Sequence, residues 1–184
     1  MICIEDFETF WNNVGDKSRL NGNGYRILID LALYGSCTQK EFRERRNWEK
    51  GSISKSFKRL YEEGFLYCLL KEDRKILYCI NKELFNERQG CCSRIAIDMP
   101  TFLRVWNVII ENTKLSANTY RILLDIVIYG ATTQSELCER RRWIQSSVNT
   151  AFKKLSDMKL ITRIDKKRYI ADIDFILNEK KEEY

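Results

Sequence analysis

Residues able to contact a nucleic acid are concentrated in two stretches of this chain, 38–60 and 133–155. The first stretch has eight basic residues against three acidic ones, a net charge of +5, and the second has five against two, a net charge of +3. Together they carry +8, although the whole chain carries only +6. Affinity for a phosphate backbone requires such a concentration of positive charge. An ordinary solvated helix face is the plainer alternative, because basic residues are common on exposed helices.

The composition gives little support to catalysis or metal binding. The chain has no histidine, which removes the usual general base and the Ser-His-Asp and Cys-His arrangements. Its seven cysteines show no Cys-x-x-Cys spacing, so a zinc site is not expected. Cys37, Cys68 and Cys79 have apolar neighbours and are predicted to be small buried hydrophobic residues, with a thiol redox sensor at Cys91 and Cys92 as the minor alternative. We expect neither an enzyme nor a protein with a metal or another cofactor.

The sequence repeats itself 95 positions later. Identical residues recur at that spacing without a gap: Trp11 and Trp106, Tyr25 and Tyr120, Gly35 and Gly130, Trp48 and Trp143, Phe57 and Phe152. A repeat of this length indicates a duplicated domain rather than a solenoid unit. The predicted domains are therefore residues 1–90 and 95–180.

Neither a membrane span nor a secretion signal is predicted. The longest apolar runs, such as residues 27–34, fall short of the roughly 20 residues that a span needs. Residues 1–20 lack the basic start and apolar stretch of a signal peptide. We expect a cytoplasmic, nucleoid-associated protein.

Each repeat contains the pattern of two helices joined by a short turn. Thr38 with Glu41, and Thr133 with Glu136, predict capping boxes that start a short helix. A tight turn and a longer helix follow, and then two β-rich segments around a charged tip. Such a helix pair is typical of a helix-turn-helix whose second helix enters the DNA major groove. The hairpin after it is typical of a wing.

Polar pairs on the preceding helix receive a structural interpretation. Arg26 and Asp30 stand four positions apart, as do Arg121 and Asp125. Residues at this spacing share one helix face, so we expect each pair to support its helix rather than to form a site.

The segment 38–66 resembles the winged helix-turn-helix core of MarR-type and related bacterial and archaeal regulators; it reads TQKEFRERRNWEKGSISKSFKRLYEEGFL. The segment 133–161 is similar at the same places and reads TQSELCERRRWIQSSVNTAFKKLSDMKLI. The resemblance implies a mainly α (α+β) fold made of two tandem winged helix-turn-helix domains from an internal duplication.

Two features depart from that family. Trp48 and Trp143 stand in the turn where the family buries an aliphatic residue, so we predict that they are core plugs rather than base-stacking residues. The long flanking helices that pair MarR-type subunits are not evident. A tandem pair in one chain would replace that dimer, as in two-winged-helix plasmid replication initiators, which this chain resembles in layout.

The predicted DNA contacts lie around the turns, on the outer faces of the second helices and in the hairpins. In the first repeat they are Arg43, Arg45, Arg46, Lys50, Ser52, Ser54, Lys55, Lys58, Arg59, Arg74 and Lys75. In the second repeat they are Arg140, Arg141, Arg142, Gln145, Ser146, Ser147, Asn149, Thr150, Lys153, Lys154, Lys166, Lys167 and Arg168.

Different contacts are expected from different members of this set. Gln145 and Asn149 can pair bidentately with adenine, and Lys50 and Lys55 can reach guanine acceptors. Phosphate contacts are expected from the arginines that end the short helices: Arg45, Arg46, Arg140 and Arg141. Because the two repeats present different side chains, we predict an asymmetric DNA site.

The function expected from these patterns is sequence-specific binding of double-stranded DNA by a transcriptional regulator. The expected partner is duplex DNA, and a homodimer is a further possibility. Two alternatives stay open: a plasmid or viral replication initiator or partition protein, and a winged-helix scaffold that binds protein.

Overall fold

The computed structural model describes residues 2–15, 20–48, 50–70, 75–86, 95–111 and 115–178. The chain divides into two compact units, Met1–Gln89 and Gly90–Tyr184. Both units are mainly helical and contain a small antiparallel sheet, so the predicted α+β class is confirmed. Within the described ranges, no helix is both long enough and apolar enough to cross a membrane.

The first unit places its helices before a β-hairpin. Its elements are α1 (Ile4–Val14), α2 (Gly22–Tyr34), α3 (Gln39–Arg46), α4 (Lys50–Glu62), β1 (Leu66–Leu70), β2 (Ile76–Ile80) and a short 3₁₀ turn (Lys82–Phe85). Asn21 accepts a hydrogen bond from a backbone N–H at the start of α2. The predicted capping box of Thr38 and Glu41 starts α3. These caps satisfy donors that a helix N-terminus would otherwise leave unpaired.

Aromatic side chains fill the core of the first unit. Phe7, Phe10 and Trp11 are fully buried on one face of α1, as the helical spacing of three and four residues predicts. Phe42 of α3 and Phe57 of α4 meet edge to face, with their ring centroids 5.5 Å apart. This contact holds the inner face of α4 against α3.

The second unit has the same order of elements over most of its length. Its elements are α5 (Met99–Ile109), α6 (Ala117–Tyr129), β3 (Thr132–Thr133), α7 (Gln134–Arg141), α8 (Gln145–Asp157), β4 (Ile161–Arg163), β5 (Arg168–Ala171) and α9 (Ile173–Asn178). The capping box predicted for Thr133 and Glu136 is present at the start of α7.

The two small sheets are connected alike. In the second unit the strand order is β3-β5-β4, all antiparallel. In the first unit β1 pairs with β2, and the other side of β2 meets the chain just before α3 through a bridge between Cys37 and Tyr78. Each hairpin is therefore attached to the segment that leads into the short helix.

The cysteine predictions hold for two positions and fail at one. Cys37 and Cys79 are buried, and burial raises the pKa of the Cys37 thiol to about 11. Cys68, however, is exposed, because β1 leaves the core after Leu66 and no other described strand covers it. Cys91 and Cys92 lie outside the described residues. The described part of the chain contains no cluster of three or more potential metal ligands.

A buried aspartate of α2 anchors the end of α3. Asp30 is fully buried. Its Oδ2 accepts a hydrogen bond from Arg45 Nη1 at 2.8 Å, and its Oδ1 accepts one from Arg46 Nε at 2.7 Å. Each guanidinium carbon lies 5.1 Å from the centre of the Tyr34 ring, within the range of a cation–π interaction. One carboxylate thus binds two consecutive arginines of α3.

The second unit repeats this cluster. Asp125 of α6 is fully buried; its Oδ2 accepts from Arg140 Nη1 at 2.9 Å and its Oδ1 from Arg141 Nε at 2.6 Å. The guanidinium carbons lie 4.7 Å and 5.5 Å from the centre of the Tyr129 ring. We call these two groups of side chains the Asp30 cluster and the Asp125 cluster.

Replacing Asp30 with asparagine is expected to lower the free energy of unfolding of the first unit by about 3 to 5 kcal/mol, because it leaves the buried guanidinium group of Arg46 without its carboxylate. Chemical unfolding followed by circular dichroism measures the change. Glu44→Gln is the control: Glu44 forms an exposed pair with Lys40 at 3.7 Å, whose loss should cost less than about 1 kcal/mol. Equal, small losses in the two variants would contradict the anchoring role.

Candidate nucleic-acid interface

One residue in the left-handed backbone conformation makes the corner of each helix pair. Asn47 follows α3 with φ 48° and ψ 43°, and Arg142 follows α7 with φ 51° and ψ 35°. Asparagine adopts this conformation more readily than most residues, whereas for an arginine it costs about 1 to 2 kcal/mol. The short corner lets α4 and α8 begin within a few residues of the buried clusters.

The buried clusters correct part of the predicted interface. Only 7% of Arg46 and 5% of Arg141 is exposed, and both arginines bind the buried aspartates. Phosphate contacts were predicted for these two residues, and their burial does not allow that role. Arg45 and Arg140 bind the same carboxylates and keep 30% and 27% of their side chains exposed. All four arginines therefore hold the helix pair, and the phosphate contacts of Arg45 and Arg140 stay a prediction.

The turn tryptophans pack beneath arginines of α2 and α6. Trp48 meets Phe42 edge to face at 5.3 Å between ring centroids, and the Arg26 guanidinium lies 5.1 Å from its ring centre. Arg121 lies 4.4 Å from the ring centre of Trp143. Both tryptophans are partly buried. These contacts fit the predicted packing role better than base stacking.

The outer face of α4 is polar and accessible. Ile53, Phe57 and Leu60 are buried on its inner face. The predicted contact residues of this helix are exposed or partly exposed: Ser52, Ser54, Lys55, Lys58 and Arg59. The side chain of Lys50 lies outside the described residues, and Arg43 of α3 is partly exposed.

Intramolecular partners limit what the α4 side chains offer. Ser54 Oγ donates to Gln39 Oε1 at 2.8 Å, which joins α4 to α3. Lys58 and Arg59 pair with Glu62 and Glu63 one turn later, at 3.7 Å and 2.8 Å. Lys55 forms no ion pair with another described residue and is exposed. It is therefore the described cation of α4 most ready to contact a base or a phosphate.

The outer face of α8 carries amides and hydroxyls. Val148, Phe152 and Leu155 are buried on the inner face. The exposed predicted residues are Gln145, Ser146, Asn149, Thr150 and Lys153, and the partly exposed ones are Ser147 and Lys154. This face offers hydrogen-bond donors and acceptors but fewer cations than the face of α4.

Gln145 and Asn149 are bonded to each other. Gln145 Nε2 donates to Asn149 Oδ1 at 2.7 Å, and Gln145 Oε1 accepts from Cys138 Sγ at 3.3 Å. Bidentate pairing of asparagine with adenine uses both its amide oxygen and its amide nitrogen. One of these side chains must therefore turn before Asn149 can contact a base in that way.

A groove of about 430 Å³ lies between α8 and the start of α6. Beside Ala151, its lining residues all carry a hydroxyl, amide or ammonium group: Ser116, Asn118, Thr119, Ser146, Ser147, Thr150 and Lys154. Ser116 also caps α6 by accepting from the N–H of Thr119. The groove extends the polar surface of α8 onto α6.

The hairpin tip of the second unit is held by Asp165, whose Oδ1 accepts from the N–H groups of Lys167 and Arg168, both at 2.8 Å. These bonds lower the pKa of the Asp165 carboxyl. Lys166 and Lys167 are exposed there, whereas Arg168 lies 3.8 Å from Glu136. In the first unit Lys75 is exposed, while Lys71 and Arg74 lie outside the described residues.

No family model and no curated protein matches this chain, so the role of the surface must be inferred from its geometry. The sequence interpretation missed that Asp30 and Asp125 bind the arginines of the short helices. A signal was present: each aspartate interrupts an otherwise apolar stretch of its helix.

Exchanging the corner residues tests the backbone argument. Arg142→Asn copies Asn47 and is expected to raise the free energy of unfolding of the second unit by about 0.5 to 1 kcal/mol, because asparagine accepts positive φ more readily. The reciprocal Asn47→Arg should destabilise the first unit by a similar amount. Chemical unfolding of both variants measures the shifts. Two shifts of the same sign would contradict the strain at Arg142.

Proposed function

We propose that this chain is a sequence-specific double-stranded DNA-binding protein, a transcriptional regulator built from two tandem winged helix-turn-helix domains that arose by duplication. In this proposal α3–α4 and α7–α8 are the helix-turn-helix pairs, α4 and α8 are the recognition helices, and the hairpins are the wings. The observation that carries the proposal is the outer face of α4 and α8. In both helices one face is buried against a short helix and the other is polar, partly basic and accessible.

The shared architecture of the units supports duplication. Both contain a buried aspartate bound by two consecutive arginines, a tyrosine beneath those arginines and a turn tryptophan beneath another arginine. These residues recur at the spacing of 95 that the sequence shows. Independent origins would have to reproduce the core, the ion cluster and the corner together.

Charge supports a nucleic acid over a neutral or basic partner. The Asp30 and Asp125 clusters bind four of the arginines counted in the two basic stretches. Exposed cations remain beside the recognition helices, among them Lys55, Arg142, Lys153, Lys166 and Lys167. Cations at such positions neutralise phosphates and give an affinity that does not depend on sequence. Hydroxyls and amides on α8 are of the types that read base edges.

Salt dependence tests the electrostatic part. The association constant for a fluorescent duplex is measured by anisotropy at several salt concentrations. Its logarithm should fall linearly with the logarithm of the salt concentration, with a slope of about −0.9 per neutralised phosphate. Lys167→Ala should weaken binding to all duplexes and reduce the slope by about one. Lys82→Ala, which removes an exposed lysine of the 3₁₀ turn, is the control and should change neither. Binding that is absent at low salt, or equal at every salt concentration, would sink the proposal.

Base contacts are tested on a duplex selected from a random pool. Asn149→Ala and Lys55→Ala should each weaken binding to that duplex by about 1 to 3 kcal/mol and relax the preference at different positions. Asn178→Ala, at an exposed residue ending α9, is the matched control for the lost amide. Unchanged affinity of both variants for every duplex would favour a protein partner for these helices.

A further inference from the structure

The hairpin of the first unit exposes an apolar surface. Its strands read LYCLL and ILYCI, without a charged residue. Exposed fractions are 37% for Tyr67, 49% for Leu69, 75% for Leu70 and 47% for Ile76. An antiparallel sheet with one solvated face normally alternates apolar and polar residues, whereas uninterrupted apolar strands are typical of sheets covered on both sides. The sequence of this hairpin is therefore typical of a sheet whose two faces are both covered.

The second unit shows that this fold does not need an apolar hairpin. Tyr78 packs on Phe57 at 4.6 Å between ring centroids, and Tyr169 packs on Phe152 at 5.1 Å, which aligns the two hairpins. At the matched positions, Tyr67, Cys68 and Leu77 of the first hairpin stand where the second has Thr162, Arg163 and Arg168. The fold of the unit therefore does not require the exposed apolar side chains of the first hairpin.

The backbone of β1 has an open edge. Tyr78 exchanges both of its backbone hydrogen bonds with Cys37, at 3.2 Å and 3.0 Å, and so directs them away from β1. Backbone groups alternate between the two sides along an antiparallel strand. Cys68 lies opposite Tyr78 in the strand register, so its N–H and C=O groups also point away from β2. Because of the alternation, Leu66 and Leu70 direct theirs to the same side. Within the described residues no strand lies on that side.

Only another β-strand can satisfy these backbone groups in a row. A lipid or a DNA duplex does not present alternating N–H and C=O groups at strand spacing. A charged strand would place its side chains against an apolar one. The occupant must therefore be an extended, apolar and uncharged segment.

We propose that β1 pairs antiparallel with β1 of a second copy of the chain, forming a symmetric dimer. A register centred on Cys68 places Leu66 opposite Leu70 of the second copy and Cys68 opposite its own counterpart. Every outward N–H and C=O of Leu66, Cys68 and Leu70 then has a partner. Tyr67 and Leu69 face each other across the pair, and no like charges are opposed. The strand is thus complementary to itself in both backbone and side chains, as a two-fold interface requires.

The interface is small, so the dimer is weak and depends on concentration. One pair of five-residue strands buries less than the roughly 1,200 to 2,000 Å² of a standard stable interface. The hairpin of the second unit is protected from the same association, because Arg163 stands at the position of Cys68 and brings a charge to the edge strand. Arg163 Nε also donates a hydrogen bond to the carbonyl oxygen of Asp165 at 2.8 Å. Charged residues on edge strands commonly prevent such pairing.

Sedimentation equilibrium of the full chain, over concentrations of about 1 to 500 µM chosen for a small interface, tests the dimer. The average mass should rise from the monomer value of 22.0 kDa towards twice that value. Leu70→Lys and Cys68→Arg should remain monomeric throughout while circular dichroism shows an unchanged fold. Ile164→Lys places the same charge on the other hairpin, where Ile164 is exposed, and should associate like the original chain.

Hydrogen exchange locates the contact. Amides of Cys68 and Leu70 should exchange more slowly at high than at low concentration, and this protection should disappear in Leu70→Lys. A chain that stays monomeric, a mass that grows beyond the dimer, or a Leu70→Lys variant that dimerises as before would each overturn the proposal. None of these outcomes depends on DNA binding.

Discussion

The fold of each unit depends on one fully buried carboxylate. Asp30 and Asp125 lie inside apolar helices, where an unpaired charge would cost several kcal/mol. Two consecutive arginines of the next helix compensate each of them, and because hydrogen bonds are directional they also fix how that helix lies on the preceding one. The corner, the start of the longer helix and the direction of its outer face follow from this constraint. Under the proposed function, Arg46 and Arg141 orient the recognition helix instead of contacting the phosphates themselves.

The two units share this frame and differ in what they place on it. The outer face of α4 carries lysine and arginine, whereas that of α8 is rich in amides and hydroxyls. The hairpins show the reverse distribution of charge: the strands of the first hairpin are apolar, whereas the second hairpin is basic. Core positions are fixed by packing, so the two units differ most where side chains face solvent. This distribution suits a protein in which the units have different partners at their hairpins.

Much of the fold could be predicted from the sequence, because the signals are local. Capping boxes at Thr38 and Thr133 start the short helices, and apolar spacing identifies the inner faces of α4 and α8. The choice between exposed and buried arginines was not local: Arg45 and Arg46 are adjacent on a short polar helix, and only the position of Asp30 in space decides that Arg46 is buried while Arg45 keeps 30% of its side chain exposed. Cys68 was misjudged for a similar reason. An apolar strand predicts burial, but its covering depends on neighbours that the strand does not specify.

An amide chemical-shift titration tests the central claim most directly. The isotopically labelled full chain is followed while a selected duplex is added at low salt. The account predicts shifts along the exposed residues of α4 and α8 and at the tip of the second hairpin, with the amides of α1 and α5 unchanged. Shifts that avoid α4 and α8, or a duplex that perturbs no amide at low salt, would contradict it.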